Sequence, residues 1–319
     1  MPHKFNDARR DKFPKAKYRV SNCPEYNESL RRRGDVTIWV SDDVVQKWRS
    51  PRRKTRGGQS RYSDLAIEIC LTLRVVFRLP LRQTQGFVRS LAKLMGMALV
   101  VPDFSTLSRR GKGLKLPQNR RAASKPTTLI VDSTGLKVHG GNDWHEEKHG
   151  TKKARKTWRK LHIAFDPETG DIAATELTTE HVGDVTALPA LLTDMDADVS
   201  RFLADGAYDV QGVADCLIEK FGHGVEIIIP PPTTAVHGKN AQRNHHIDVI
   251  AQNGRMSWQT KTGYNQRSRV EAQIGRWKQA IGDRLQARDF DNQIAEVKMA
   301  SKALNRMTGL GRAVYERVV

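Results

Sequence analysis

The sequence predicts an α/β protein in which a mixed β-sheet is flanked by helices and preceded by a helical region. Two observations support this prediction. From residue 126 onward, short apolar runs alternate with amphipathic stretches in the order β-β-β-α-β-α-β-α. Between residues 62 and 125, apolar residues recur at helical spacing instead. We therefore divide the chain into a basic arm (1–61), a helical domain with a linker (62–125) and an α/β domain (126–319).

A large excess of positive charge indicates the class of partner. The 319 residues include 54 Lys and Arg but only 35 Asp and Glu, which gives a net charge of +19 and a pI of about 10.1. A surplus of this size points to a polyanion as partner, and a membrane surface is the other anionic candidate. The longest apolar stretch, residues 94–102, is too short to span a bilayer, so no membrane partner is expected. A polar N-terminus and three scattered cysteines predict a cytoplasmic location.

The arm combines arginine clusters with spaced aromatic residues. Within it, residues 35–40 alternate in polarity and predict a short strand, and residues 44–48 predict a helical turn. One interpretation is an arm whose cations contact DNA phosphates. The other is a solvated basic tail that packs on the next domain.

The helical domain is predicted to contain three short helices, and Asp64 is predicted to cap the first of them. Their arrangement resembles a helix-turn-helix unit, in which the last helix enters the major groove. Arg109 and Arg110 would then be exposed near bases or phosphates. A small helical bundle without groove contact is the alternative. The predicted helices are Leu65–Phe77, Leu81–Met95 and a third that starts at Asp103.

Two buried strands of the α/β domain each lead into an aspartate. The run TLIV ends at Asp132, and the run RFLA ends at Asp205, directly before a glycine. A strand that delivers an aspartate at its C-terminal end is a common way to present a metal ligand. Each aspartate taken alone could instead cap its own turn. Asp209 lies in the same loop as Asp205, and Asp205 is preferred because it directly follows the apolar run.

A third carboxylate comes from a predicted helix over residues 264–278. At about 100° per residue, Tyr264, Arg267, Glu271 and Lys278 fall within an arc of roughly 60°. This arc lies beside an apolar stripe that would anchor the helix. By itself the arc could be an exposed surface with an Arg267–Glu271 pair. Together with the two aspartates, Glu271 would complete three hard oxygen ligands, which suit Mg²⁺.

These motifs resemble those of the DDE transposases of bacterial insertion sequences. The resemblance covers roughly residues 65–312 and is carried by IVDSTG around Asp132, LADGAYD around Asp205 and a Y-x2-R-x3-E-x6-K signature. It is closest to the branch that has this signature. The signature positions are Tyr264, Arg267, Glu271 and Lys278.

The resemblance implies an RNase H-like catalytic domain with Asp132, Asp205 and Glu271 as its catalytic and metal-binding residues. Two Mg²⁺ ions, for which Mn²⁺ could substitute, would support cleavage at the terminal inverted repeats and transfer of the 3′-OH to target DNA. It implies that the other three signature residues contact double-stranded DNA of the transposon end. A bacterial protein that associates with the nucleoid and acts as at least a dimer on DNA is expected. Two alternatives are a metal-dependent nuclease without strand transfer and a DNA-binding regulator on an inactive nuclease fold.

Several other residues are candidates for nucleic-acid contact. The basic run 148–160 would suit a DNA backbone, and Trp158 could stack on a base or simply pack. Trp258 is a candidate to receive a flipped base. Residues 233–262 are predicted to form a polar loop or small insertion, and the histidines between residues 139 and 162 a loop rather than a zinc site. The cations predicted to contact DNA in the basic run are Lys152, Lys153 and Arg155.

Overall fold

The computed structural model describes residues 17–40, 44–54, 56–114, 116, 127–138, 158–193, 195 and 198–318. The chain divides into two compact units: Met1–Ile38 with Met307–Val319, and Trp39–Arg306. Among the described residues, no helix is both long enough and apolar enough to cross a membrane.

Seven strands and eleven α-helices are found in the described parts of the chain. Short 3₁₀ helices at Val36–Trp39, Gly206–Tyr208 and Tyr264–Arg267 accompany them. In chain order the elements are β1 (Lys17–Val20), α1 (Cys23–Arg33), α2 (Val44–Lys47), α3 (Asp64–Val76), α4 (Leu81–Leu94), α5 (Phe104–Gly111), β2 (Thr127–Lys137), β3 (Trp158–Phe165), β4 (Ile172–Thr179), α6 (Asp184–Thr193), β5 (Val199–Leu203), α7 (Gln211–Phe221), β6 (Glu226–Ile228), α8 (Ala241–Asn253), α9 (Arg255–Thr262), α10 (Ser268–Ala280), α11 (Phe290–Gly309) and β7 (Tyr315–Val318).

In the first unit, β1 pairs with β7 in an antiparallel two-stranded sheet. Helix α1 follows β1, with a proline in its first turn and three arginines in its last. Proline suits a first turn because the backbone N–H it lacks would have no partner there. The arginines lie where the helix dipole favours positive charge.

The three predicted helices of the second unit are confirmed as α3, α4 and α5, and each contacts the other two. The residue that caps α3 is Ser63, whose hydroxyl accepts a hydrogen bond from the Ala66 N–H at 3.1 Å. The prediction that Asp64 is the cap was therefore wrong by one residue. Serine can fill this position because its short side chain reaches back to the first free amide groups.

The large sheet of the second unit has five strands in the order β4-β3-β2-β5-β6. Strands β2, β3 and β4 form an antiparallel meander, whereas β5 and β6 run parallel to β2. The β3–β4 hairpin closes through Gly170, which has a positive φ of 73°. The mixed α/β class is confirmed, and this strand order agrees with an RNase H-like sheet.

Helices cover both faces of this sheet. Leucines of α6 and α7 pack with Leu129, Val131 and Phe202 in the main core. Helix α10 contacts β2 and β3, with Val270 and Trp277 fully buried. Because side chains alternate along a strand, Asp132 lies on the face of β2 opposite Leu129 and Val131.

Two predicted segments have a different structure. Residues 36–39 form a 3₁₀ helix rather than a strand. The Asp35 carboxylate accepts hydrogen bonds from the Thr37 N–H at 2.9 Å and the Thr37 hydroxyl at 2.7 Å, which turns the chain. Residues 233–262, predicted as a polar loop or small insertion, contain two helices, α8 and α9, and are therefore not a loop throughout. The side chain of Asn240 caps α8 by accepting from the Arg243 N–H.

Candidate active site

Asp132 and Asp205 occupy equivalent positions relative to the pairing of two neighbouring parallel strands, β2 and β5. Pairing of β2 with β5 ends at Ile130 and Leu203, and each aspartate lies two residues beyond its own member of that pair. Strand β2 then continues to Lys137 against β3. The prediction that Asp132 ends its strand was therefore wrong, because Asp132 lies within β2. It lies where β2 has lost its neighbour on one side, and this leaves room for a carboxylate beside the aspartate of β5.

The guanidinium of Arg267 contacts all three predicted carboxylates. Its Nη2 donates to Asp132 Oδ2 at 3.2 Å and lies 3.9 Å from Asp205 Oδ2. Its Nη1 donates to Glu271 Oε1 at 2.7 Å. The Arg267–Glu271 pair expected for an ordinary helix surface therefore exists, but the same side chain also reaches two strands of the sheet.

The backbone before α10 places Arg267 over the sheet. Gly263 adopts a left-handed conformation with a φ of 68°, and Tyr264–Arg267 then form a 3₁₀ turn that leads into the helix. A left-handed residue costs little when it is glycine. The buried Val270 and Trp277 hold the helix on the sheet, so that Glu271 points to the aspartates from the helix side.

The electrostatics of the cluster are those of crowded, partly buried acids. Burial raises the pKa of Asp132, and the charges of Asp205 and Glu271 raise it further. The Ser133 N–H and the Arg267 guanidinium act in the opposite direction without reversing this shift. Burial lowers the pKa of Arg267, but its acidic neighbours outweigh this effect, and the net shift is upward. Arg267 is therefore a fixed positive charge at the centre of the site.

The three carboxylates suit a metal ion in chemical type but not in their present arrangement. Among the described residues, no three His, Cys, Asp or Glu side chains are arranged to hold a metal. Asp132, Asp205 and Glu271 instead share one guanidinium. Three anionic oxygen donors around a single cationic centre fit a hard divalent cation in chemical type, and these are the residues that would hold it.

Asp209 is engaged elsewhere. Both of its carboxylate oxygens accept hydrogen bonds from Arg243 of α8, at 2.8 Å and 3.0 Å. Its side chain is 7% exposed. A bidentate pair of this kind anchors α8 to the loop after β5. Asp205, in contrast, is 42% exposed and faces the other two carboxylates through Arg267.

Tyr264 packs against a buried pair of aromatic rings. Its ring lies 5.3 Å from that of Trp258, and Trp258 is fully buried. The indole N–H of Trp258 donates to His246 Nδ1 at 3.0 Å, so His246 Nε2 carries the proton that it donates to the Ile227 carbonyl at 2.9 Å. Burial raises the pKa of Tyr264 to about 12. The prediction that Trp258 is available to a flipped base was wrong, because its ring is fully buried and contacts His246 of α8 and Tyr264.

Part of the α10 surface beside Glu271 is open to solvent. Lys278 is exposed, and Gly275 lies between it and Glu271 on the same face. A Cβ at Gly275 would meet no heavy atom within 4 Å. The helix face next to the three carboxylates is therefore accessible to solvent and carries Lys278.

The helical domain presents only part of its predicted DNA-binding set. Arg109 is exposed. Arg110 is turned inward, where it pairs with Asp64 at 2.5 Å and donates to the Ser60 hydroxyl and the Tyr62 carbonyl. The prediction that Arg110 would be exposed was wrong, because its long side chain reaches the start of α3.

The remaining candidates lie at or beyond the edge of what the structure describes. Trp158 is the first residue of β3, is 36% exposed and packs close to Gly135. His162 is buried and hydrogen-bonded to the Thr178 hydroxyl, and burial lowers its pKa, so it is a neutral core residue. Lys152, Lys153 and Arg155 fall outside the described residues, as do His139, His145 and His149.

Two residues near the site were not singled out from the sequence. Tyr208 is 2% exposed, and its hydroxyl has no hydrogen-bond partner among the described residues. Burial raises its pKa, and so do the charges of Asp184, Asp205 and Asp132. Asp184, at the start of α6, pairs with Lys160 at 3.0 Å. The only signal for Tyr208 was its position three residues after Asp205.

Comparisons with known proteins identify the family of this chain. A family model described as a transposase DDE domain matches residues 123–306, and a second model with the same description matches residues 31–141. The first match alone covers more than half of the chain and includes all three carboxylates.

Two solved structures show weak similarity. The Drosophila P element transposase strand transfer complex is 12% identical, with a TM-score of 0.31 over 66% of this chain and 48% of that one. This chain thus spans about half the length of that protein. A crystal structure of the Mos1 mariner paired end complex with Mn is 10% identical, with a TM-score of 0.23 over 97% and 91% of the two chains. No conclusion about this chain is drawn from TM-scores this low. The family match over residues 123–306 shows that the chain belongs to the transposase DDE domain family.

Proposed function

We propose that this protein is a DNA transposase that binds the terminal inverted repeats of an insertion sequence, cleaves the element ends and joins the freed 3′-OH to target DNA. The observation that supports this proposal is the convergence of Asp132, Asp205 and Glu271 on one cationic centre. The mutual repulsion of three acids opposes such crowding unless a cation lies among them.

The three carboxylates are the residues proposed to hold divalent metal, with two Mg²⁺ ions as the resident cofactor and Mn²⁺ as a substitute. When bound, such a pair of ions activates an attacking oxygen and stabilises the leaving oxygen of a phosphodiester. The protein supplies the positioning. The paired strands β2 and β5 hold the aspartates, and the buried stripe of α10 holds Glu271 above them.

The DNA end is proposed to lie along the open face of α10. Lys278 offers a cation to the phosphate backbone, and the bare surface at Gly275 allows close approach. Tyr264 borders the same site. Arg109 of α5, Trp158 and the basic run with Lys152, Lys153 and Arg155 are proposed as further DNA contacts. In this proposal, the arm (1–61) and the helical domain (62–125) bind the inverted repeats, and the catalytic domain (126–319) carries out the reaction.

The synapsis of two element ends requires two active sites, so we propose at least a dimer on DNA. The proposed setting is the bacterial cytoplasm, in association with the nucleoid. Cross-linking of the protein in the presence and absence of DNA that bounds its gene measures this assembly directly. A complex that contains a single protein copy would contradict it.

An assay of cleavage and joining tests the proposed activity. Purified protein is incubated with linear DNA that carries the segments bounding its gene, a supercoiled target plasmid and Mg²⁺ or Mn²⁺. We expect nicks that expose a 3′-OH at the element end and plasmid joined to that end. Cutting without joined product would favour the metal-dependent nuclease. Binding without cutting in either metal would favour the regulator on an inactive nuclease fold.

A further inference from the structure

The side chain of Arg267 occupies the centre of the carboxylate cluster, which is the place a divalent cation would need. We propose that Arg267 is a built-in competitor of the metal: it neutralises Asp132, Asp205 and Glu271 while the site is free of metal and must leave them when metal binds. This inference rests on the proposed function, because it concerns how the same three residues become available to a metal ion.

The contacts of Arg267 support competition rather than a simple surface pair. Its two terminal nitrogens are shared among three acids, at 3.2 Å and 3.9 Å on one side and 2.7 Å on the other. The side chain is 19% exposed, and its Nε is buried without a hydrogen-bond partner among the described residues. A guanidinium that leaves one of its N–H groups unpaired is held by charge, not by complete hydrogen bonding.

The position of Arg267 along the chain couples it to the metal ligands. It lies one helical turn before Glu271, so the same backbone carries both the competing cation and one of the carboxylates. Asp132 makes its closest described ion pair with Arg267. A metal ion held by these oxygens would repel the guanidinium, so the metal ion and Arg267 cannot both bind all three carboxylates.

The open face of α10 offers Arg267 a second place to bind. Lys278 and the bare surface at Gly275 extend from the cluster toward solvent, where the proposed function locates a DNA phosphate. A guanidinium matches a phosphate as well as it matches a carboxylate, because its paired donors can bind two oxygens at once. The arrival of DNA would therefore free the carboxylates, and metal and DNA would bind with positive coupling.

Metal binding by the full-length protein tests this directly. Mn²⁺ is titrated calorimetrically into the wild-type chain, Arg267→Gln and a matched control, Arg269→Gln. Arg269 precedes Glu271 on the same helix, but its guanidinium donates to the Pro167 carbonyl. We expect Arg267→Gln to bind Mn²⁺ about tenfold more tightly or better, and Arg269→Gln to bind like the wild type. In EDTA, Arg267→Gln should have a lower melting temperature than the wild type. Added Mn²⁺ should raise the melting temperature of Arg267→Gln by more than it raises that of the wild type.

If Arg267→Gln does not fold, Arg267→Lys is used instead. Its gain in Mn²⁺ affinity should be smaller, because the lysine ammonium keeps a positive charge in the cluster although it cannot bridge three acids. Equal or weaker Mn²⁺ binding in these variants overturns the inference, and so does equal binding too weak to measure. A short synthetic duplex of the DNA that bounds the gene should reduce the difference in Mn²⁺ affinity between the wild type and Arg267→Gln. A difference in affinity that the duplex leaves unchanged overturns the coupling. Cleavage and joining by the wild type report separately on the proposed function.

Discussion

Helices α5 and α10 were both predicted as cationic helices that contact DNA, yet the protein uses their polar residues differently. In α5, the Asp103 carboxylate accepts from the N–H and hydroxyl groups of both Ser105 and Thr106. Arg110 is committed to Asp64. In α10, Glu271 is 53% exposed and faces acids from the sheet, and Lys278 is exposed.

This difference shows that charged residues at helical spacing can have two different roles. The polar residues of α5 mostly satisfy one another, which stabilises the start of the helix and its contact with α3. Those of α10 bring like charges together, an arrangement that costs free energy unless a cation is present. Helical spacing predicted both helices, but it did not distinguish residues that stabilise the fold from residues available to a ligand.

The largest expected effect comes from Glu271→Gln. This change keeps the shape of the side chain and removes the charge, so we expect cleavage and joining to fall by roughly a hundredfold or more. Binding of the element ends should stay close to that of the wild type. Band-shift and cleavage assays on the same DNA measure the two effects, and efficient cutting by this variant in Mg²⁺ would refute the role of Glu271.

The next effect concerns the aromatic support beneath Tyr264. Trp258→Phe removes the donor to His246 and leaves a buried nitrogen unpaired. We expect a loss of about 1–3 kcal/mol in the free energy of unfolding, measured by urea denaturation. If Trp258 bound a flipped base, Trp258→Phe would instead keep the free energy of unfolding of the wild type and lose cleavage.

Arg110→Ala and Arg109→Ala compare an inward cation of α5 with an outward one. Arg110 donates to three groups at the start of α3 and before it, so its removal should cost about 1–2 kcal/mol. Arg109→Ala should change stability by no more than about 0.5 kcal/mol. It should weaken DNA binding and reduce the slope of log affinity against log salt by about 1. An equal loss of stability in both variants would remove the distinction.

Acidification should weaken the fold through its buried histidines. Burial lowers the pKa of His246 and of His162 below the ordinary value of 6.5. The unfolded chain therefore takes up these protons first, and their contribution to stability is lost as the pH falls below about 6.5. Urea midpoints at about pH 7.5 and pH 5.5 measure this loss. A midpoint that does not drop would show that the two histidines titrate alike in the folded and unfolded chains.

A small gain in stability is expected at the open face of α10. Gly275→Ala meets no neighbouring atom, so it should stabilise the helix by about 0.5–1 kcal/mol. The added methyl should nevertheless weaken end binding if DNA approaches the backbone there. Gly212→Ala near the start of α7, also without neighbours, is the matched control. Unchanged DNA binding in Gly275→Ala would place the DNA elsewhere.

Local patterns in the sequence were sufficient to predict most elements of the sheet and the helices around it. Apolar runs closed by turn residues predicted β2 to β6, and the three-helix region followed from its apolar spacing. The candidate acids Asp132, Asp205 and Glu271 were also predictable, because two follow apolar runs and one shares a helix face with cations. These features depend on residues that lie close together in the chain.

Tertiary structure alone decided which polar groups meet. The inward turn of Arg110 toward Asp64 and the contacts of Arg267 with Asp132 and Asp205 join residues that lie far apart in the chain. Spacing along a helix specifies the side of a long side chain but not its partner, which depends on what the opposite element presents. The sequence by itself therefore determined the candidate carboxylates and the sheet that carries them. The packing of α10 on that sheet decided that they converge on one guanidinium.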